Sequence, residues 1–223
     1  MENKSIQTIK KVTIYGERCT GTNYLEELIT SNFNVTITWE YGWKHFFGFN
    51  DLKNSDDTLF IGIIRNPCDW INSFYREQHH LDKSFKNINK FLSGEFYSVH
   101  ANHTENMHDR NLYTQKRYAN IFEMRHTKNK FLIEDMKSLV KNYILIRYED
   151  LVHDFLNTMN KIKDKGLNVK PNIKYPLNIT YYKKEKKVNF KAKQKSHVNK
   201  IPRELIRNKL NPYYELGSFL KYL

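Results

Sequence analysis

The sequence predicts an α/β fold with a mainly parallel central sheet flanked by helices. Three observations carry this expectation. Short β-branched runs alternate with segments of helical spacing along the chain. The run Thr58-Leu-Phe-Ile-Gly-Ile-Ile64 is almost continuously apolar, as expected of a strand buried on both faces of a parallel sheet. The chain shows no internal repeat, and its strands alternate with helices throughout.

The elements follow in order. Lys11-Val-Thr-Ile-Tyr15 alternates and reads as the first strand. Gly16-Glu-Arg-Cys-Thr-Gly21 is a turn, and Leu25, Leu28 and Ile29 after it stand at helical spacing. Val35 to Trp39 reads as a second strand and Thr58 to Ile64 as the buried third. Asn66-Pro67 pairs an N-cap residue with a first-turn proline, so a helix starts there and runs toward His79. Residues 80–130 are polar and His-rich; short helices and loops are expected, with a firmer helix over Asn111 to Met124. Asn142 to Arg147 reads as a further buried strand and Asp150 to Lys165 as a helix. Residues 168–200 are basic and irregular. Ile201-Pro202 and Asn211-Pro212 each open a short helix.

Composition narrows the class. The length of 223 residues suits one domain, and 39% hydrophobic with 14% aromatic residues places the chain among globular proteins. No apolar run reaches the roughly 18 to 20 residues of a membrane span, and the polar start lacks a signal-peptide pattern. A cytoplasmic protein with no membrane partner is therefore expected. The two cysteines, Cys19 and Cys68, make no disulfide framework and fit a reducing compartment. Three Asn-x-Thr sequons, at Asn34, Asn102 and Asn178, read as chance in an Asn-rich chain without a secretion signal.

The net charge of +13 is concentrated. Between Lys161 and Lys209 stand 16 Lys and Arg against 3 Asp and Glu, and the rest of the chain carries 21 of each sign. Such a block suits a polyanionic partner: nucleotide phosphates, an acidic glycan or nucleic acid.

Two local motifs point to anion chemistry. A Gly-rich turn between a buried strand and a helix aims backbone N–H groups at the positive end of the helix dipole, where phosphate or sulfate binds. The spacing Gly16-x4-Gly21 matches the front of a Walker A loop, but Thr22-Asn23 stand where that loop has its Lys and Ser/Thr. In the second motif, Arg65 follows a buried strand at its carboxyl end, where open α/β sheets bind ligands, and Ser73 comes eight residues later. An arginine fork and a hydroxyl converging there suit a terminal phosphate.

These motifs resemble those of PAPS-dependent sulfotransferases. Arg65-Asn-Pro67 followed by Ser73-Phe-Tyr75 is similar to the family's 3′-phosphate motif. Thr20-Gly21-Thr22-Asn23-Tyr24-Leu25 resembles its 5′-phosphosulfate loop. Arg147-Tyr-Glu-Asp-Leu151 resembles a segment common in the family. The likeness covers roughly residues 10–80 and 140–155. It implies a P-loop-like sulfotransferase fold over a single domain, 1–223. In that domain residues 10–80 would hold the donor, 80–130 would form an acceptor-side insertion and 161–209 a basic segment.

The resemblance implies sulfuryl transfer from PAPS, with PAP as product, to a hydroxyl or amine of an unidentified acceptor, carbohydrate and anionic in view of the basic segment. It assigns donor binding to Arg18, Cys19, Thr20, Gly21, Thr22, Asn23, Tyr24, Arg65 and Ser73. His45 precedes Arg65 by 20 residues, similar in placement to the family's catalytic base, with Glu40 in reserve. Where the family has a Lys or Arg two residues before the loop glycine, this chain has Cys19. Arg18 and Lys44 are therefore the candidates to stabilise the leaving group. Tyr24 replaces the usual tryptophan that stacks on adenine. Glu149 is a structural partner or acceptor contact, and Asp150 a helix cap. No metal is expected, since the histidines at 79, 80, 100, 103 and 108 lack zinc-site spacing. Two other readings stand beside this one: a nucleotide-dependent phosphotransferase with an irregular P-loop, and a nucleic-acid-binding protein using residues 161–209. The chain carries no zinc-finger or RNA-recognition signature for the latter.

Overall fold

A computed structural model describes residues 8–171, 180–183, 186–189 and 201–210, with only the backbone course at 180–183 and 186–189. The helix expected at Asn211-Pro212 lies outside the described residues, as does the sequon at Asn178.

Four parallel strands form the central sheet in the order β2-β1-β3-β4: β1 Lys11–Tyr15, β2 Thr36–Ile37, β3 Thr58–Ile64 and β4 Tyr143–Arg147. The register pairs Lys11 with Thr58 and Phe60 with Tyr143. Side chains of β1 and β3 alternate between two layers, as the pleat requires. Val12, Ile14, Leu59, Ile61 and Ile63 face a core shared with helices α1 (Thr22–Asn32), α6 (Tyr148–His153) and α7 (Phe155–Lys163). Tyr15, Phe60 and Ile64 face the opposite core, where Phe47, Phe131 and Met136 pack. The expected α/β architecture, a parallel sheet between helices, is what the chain adopts.

A third cluster extends the molecule beyond the sheet. It joins α2 (Pro67–Arg76), a 3-10 turn at Lys83–Lys86, α3 (Ile88–Ser93), α4 (Ile121–Lys130) and α8 (Arg203–Leu210). Asn72 docks the C-terminal part onto α2. Its Nδ2 donates to the Ile201 carbonyl at 3.0 Å, and the Ile201 N–H donates to Asn72 Oδ1 at 3.0 Å, both buried.

Several elements depart from expectation. The helix placed over Asn111 to Met124 is instead α4, starting at Ile121. Asn111 turns the chain upstream, its Oδ1 accepting from the N–H groups of Tyr113 and Thr114. Asn120 then caps α4 by accepting from Phe122 and Glu123 at 2.9 and 3.0 Å. Past α4 come a π turn over Phe131–Asp135 and the short α5, Met136–Leu139. The segment expected as one helix from Asp150 breaks at Asp154, where φ is −128° and ψ 49°. The second strand is shorter than Val35 to Trp39, because Trp39 has already left the sheet and stands exposed. α2 stops at Arg76 rather than running to His79. Within the irregular basic segment, β5 (Thr180–Lys183) and β6 (Lys186–Asn189) pair as an antiparallel hairpin, and β5 lies beside α1.

The strand order fixes where a ligand can enter. From β1 the chain passes through α1 to β2 on one side, then crosses to β3 on the other. The loops leaving the carboxyl ends of β1 and β3 therefore diverge and open a crevice between them, the usual ligand position in an open α/β sheet. Docking of residue 201 should matter for stability. Asn72→Ala leaves a buried N–H and C=O unpaired and should cost about 1–3 kcal/mol in urea unfolding. An unchanged midpoint would detach the C-terminal part from the cooperative fold.

Candidate functional site

The loop Gly16–Gly21 leaves β1 at that crevice, and its carbonyls are turned inward. The Gly16 carbonyl accepts from His45 Nδ1 at 2.6 Å. The Glu17 carbonyl accepts from the Thr20 hydroxyl at 2.6 Å and the Thr20 N–H at 3.1 Å. The Arg18 carbonyl accepts from Trp70 Nε1 at 2.7 Å, and the Cys19 carbonyl from an Arg65 Nη1 at 2.8 Å. Four successive carbonyls are thus fixed, one by Thr20 of the loop itself and three by side chains from outside it. Of the N–H groups on those peptides, that of Arg18 donates to Glu17 Oε1 at 2.7 Å and that of Thr20 to the Glu17 carbonyl, so the loop closes on itself; the first-turn N–H groups of α1 follow it. Gly21, the residue before α1, supplies no side-chain cap to cover them.

Glycine is required at both ends of the loop. Gly21 has φ +101°, and a Cβ there would stand 2.6 Å from Tyr148 Cδ2. A Cβ on Gly16 would stand 2.6 Å from Ile63 Cγ2. The loop therefore packs closely on β3 and on the residue that follows β4.

Beneath the loop lies a buried ionic cluster. Arg18 donates through Nε to Glu17 Oε1 at 2.6 Å and through Nη2 to Asp109 Oδ2 at 3.0 Å. Lys128 is paired with Glu17 and stands 2.6 Å from Asp109 Oδ1, and its ammonium also donates to the His45 carbonyl at 2.9 Å. The Arg18 guanidinium lies over the Phe74 ring at 4.6 Å. Burial alone would push the Glu17 carboxyl up, but Arg18 and Lys128 beside it reverse this and hold it at about 2. The same two acids outweigh burial at Arg18 and raise its pKa.

The residues singled out from sequence fall into three groups. Cys19, Arg65 and Ser73 converge. Arg65 holds the Cys19 carbonyl, and the Cys19 thiol is hydrogen-bonded with Ser73 and feels the Arg65 charge. Burial pushes that thiol up to about 11, so it stays protonated at neutral pH. Arg65 Nε is shielded from solvent with no hydrogen-bond partner. Thr20, Gly21, Thr22 and Asn23 form the loop end and the start of α1 beside them.

Lys44 and His45 lie against the same loop from the other side. Lys44 Nζ donates to Asn23 Oδ1 and Glu26 Oε2, each at 2.6 Å. His45 is buried, its ring edge-on to Trp43 at 4.6 Å. A carbonyl can only accept, so the His45 proton sits on Nδ1 facing Gly16. Burial drives the imidazole down to about 3, against the opposing pull of Glu17, so it is neutral at pH 7.

Arg18, Tyr24 and Glu40 lie elsewhere than the resemblance implied. Arg18 is fully enclosed with its guanidinium spent on Glu17, Asp109 and the His79 carbonyl. Tyr24 sits in the core with Leu25 and Leu28 rather than offering a free ring face. Glu40 is exposed and bound by Lys11 at 2.8 Å. Glu149 acts structurally, accepting from the Asn66 N–H at 2.8 Å, and Asp150 pairs with Arg147.

Tyr148 and Trp70 were not singled out by sequence. Tyr148 stacks under Arg65 at 4.6 Å and closes over Gly21. Its signal was present in the Arg147-Tyr-Glu-Asp-Leu151 segment. Trp70 sits within the Arg65–Ser73 motif at a position that the motif leaves unspecified. Among the described residues no group of three or more His, Cys, Asp or Glu side chains is gathered as a metal site. Nor is any described helix long and apolar enough to cross a membrane.

No family model matches the chain, and no curated protein matches it in sequence. Among solved structures it is similar to the crystal structure of mouse sulfotransferase SULT7A1 complexed with PAP. The TM-score is 0.39 and the identity 16%, over 70% of this chain and 57% of that one. The chain thus matches little more than half the length of that structure.

The buried imidazole makes stability acid-sensitive. His45 takes a proton at 6.5 when unfolded but only near 3 when folded, so unfolding binds a proton between those values. Stability is full above pH 6.5 and falls as pH drops toward 3; Glu17, held at about 2 against 4.5, adds to the loss below 4.5. His45→Gln should flatten the decline between pH 6.5 and 4.5 in urea unfolding. An equally steep decline in the variant would place the acid sensitivity in other groups.

Proposed function

We propose that this chain is a sulfotransferase that moves a sulfuryl group from PAPS to a hydroxyl or amine acceptor. The observation that carries the reading is the convergence at the β1/β3 crevice. There the loop carbonyls are fixed inward and Arg65 with Ser73 stands at the second loop, joined to the first through Cys19. A nucleotide with phosphate groups at both ends suits two anion subsites so placed. The end of the loop and the start of α1, with the positive end of its dipole, take the 5′-phosphosulfate. Arg65, with its unpartnered Nε, and Ser73 take the 3′-phosphate. The irregular P-loop supports sulfuryl over Mg-nucleotide chemistry, because Thr22-Asn23 supply neither the lysine nor the hydroxyl that Mg-nucleotide loops place there.

In this reading the sulfur is displaced in line. Lys44, 2.6 Å from Asn23 on the first turn of α1, is the cation that meets the charge developing on the departing phosphate. Arg18 acts one layer deeper, holding the loop rather than the substrate. His45, neutral and tied to Gly16, braces the start of the loop. The hairpin β5–β6, whose β5 runs beside α1, is rich in lysine, which suits an anionic carbohydrate acceptor.

PAP should raise the melting temperature far more than AMP, ATP or Mg-ATP. Arg65→Ala should weaken PAP binding by about 10- to 150-fold, an effect of about 1.5–3 kcal/mol in calorimetry. It should also erase most of the preference for PAP over AMP, which lacks the 3′-phosphate. Stronger stabilisation by Mg-ATP would favour a phosphotransferase, and by an oligonucleotide a nucleic-acid-binding protein. A folded Arg65→Ala protein with unchanged PAP affinity would remove Arg65 from the donor site.

A further inference from the structure

One carboxylate near the crevice has no role in the account so far. Glu26 stands on α1 one turn beyond Thr22 and Asn23, on the same helix face as Asn23. Its Oε2 accepts from Lys44 Nζ at 2.6 Å. Its Oε1 is shielded from solvent and has no hydrogen-bond partner. A buried carboxylate oxygen without a donor is costly and uncommon, and it persists where something absent from the resting protein supplies the donor. Lys44 fixes the carboxylate in place, with side-chain exposures of 11% and 18% for the pair. The ring of Trp39, exposed just past the carboxyl end of β2, lies 6.0 Å from the same ammonium.

The geometry points to Glu26 as the catalytic base: its Oε1 takes the hydrogen of the acceptor's hydroxyl or amine. The inference rests on the sulfuryl-transfer reading and adds a residue to that site. As the acceptor oxygen or nitrogen bonds to sulfur, the bond from sulfur to the 5′-phosphate oxygen breaks. The bonding pair leaves with PAP, and the acceptor's proton passes to Glu26 Oε1. Lys44 then lies between the two charge changes. It contacts the carboxylate being neutralised and, through Asn23, the turn where the leaving phosphate collects negative charge. Glu40, paired with Lys11 at the surface, is not placed for this role, and His45 is enclosed between Gly16 and Trp43.

Water is the smallest hydroxyl acceptor, so the test needs no knowledge of the natural one. Sulfate release from sulfur-labelled PAPS would be followed for wild type, Glu26→Gln and Glu26→Ala, with PAP affinity measured alongside by calorimetry. Glu26→Gln should bind PAP at least as tightly as wild type, since Lys44 is freed from a carboxylate. Its sulfate release should fall by about 100-fold or more. In Glu26→Ala, added formate should restore release at least tenfold by supplying a carboxylate in the vacated space, and it should do nothing for wild type. A merely structural Glu26 would not be rescued.

Glu26→Gln releasing sulfate within threefold of wild type would overturn the inference, because a water bound at Oε1 would then explain the unpartnered oxygen. Loss without formate rescue would overturn it as well. A wild type that binds PAP but releases no sulfate above the uncatalysed rate also counts against Glu26 as the base. A wild type that does not bind PAP overturns the sulfotransferase reading itself, which separates the two failures.

Discussion

Two acids and two bases, Glu17, Arg18, Asp109 and Lys128, are enclosed together under the loop that leaves β1, and much of the rest of the site depends on them. Moving one of these charges out of water costs several kcal/mol, and only close pairing with further hydrogen bonds offsets it. Here the formal charges cancel. Glu17 also accepts from the Arg18 N–H, and Asp109 also accepts from the Ser98 hydroxyl. The members come from the loop, from the segment after α3 and from α4. The cluster therefore joins the sheet to the extra helical layer at a single point. Removing one member would leave a buried charge uncompensated, at about 3–5 kcal/mol.

The same arrangement explains how a short loop gains two different faces. Inside, side chains pair with the cluster and the carbonyls meet His45, Trp70 and Arg65. On the other side the loop runs through Gly21 into α1, which starts without a side-chain cap. Contacts with His45, Trp70, Arg65 and Lys128 hold the loop, and its own charged side chains, Glu17 and Arg18, are enclosed beneath it. Lys44 brings a cation from the neighbouring segment, and Arg65 brings another from the end of β3. This division accounts for Arg18 being a cation in the loop that is nevertheless fully enclosed.

The fold was legible in the sequence because period-2 alternation in Lys11–Tyr15 and the apolar run Thr58–Ile64 depend on local pattern alone. That the loop after β1 and the Arg65–Ser73 segment meet was legible because glycine, proline and arginine have few reasons to occur at such spacings after strands. Orientation was not legible. Whether Arg18 points in or out depends on Asp109 and Lys128, 91 and 110 positions away. Tyr24 reads equally as a stacking ring or a core residue until its helix is docked. The start of α4 was misplaced although Asn120 and Glu123 carry an N-cap signature, because the apparent periodicity upstream was broken by the Asn111 turn. Glu26 drew no notice, since a glutamate on an amphipathic helix is ordinary until Lys44 and an unpartnered oxygen are seen beside it.

The central claim is that the buried cluster gives the loop its anion-binding shape, and Asp109 tests it most directly. Its side chain is fully enclosed among Arg18, Lys128 and Ser98, beneath the loop rather than on the anion-facing side. Asp109→Asn keeps the volume and removes the charge. The measurement is calorimetric titration of the folded variant with PAP. The account predicts a loss of affinity of about tenfold or more, because Arg18 and Lys128 lose a shared counter-charge and the loop they position relaxes. A cooperatively folded Asp109→Asn protein that binds PAP as tightly as wild type would contradict it.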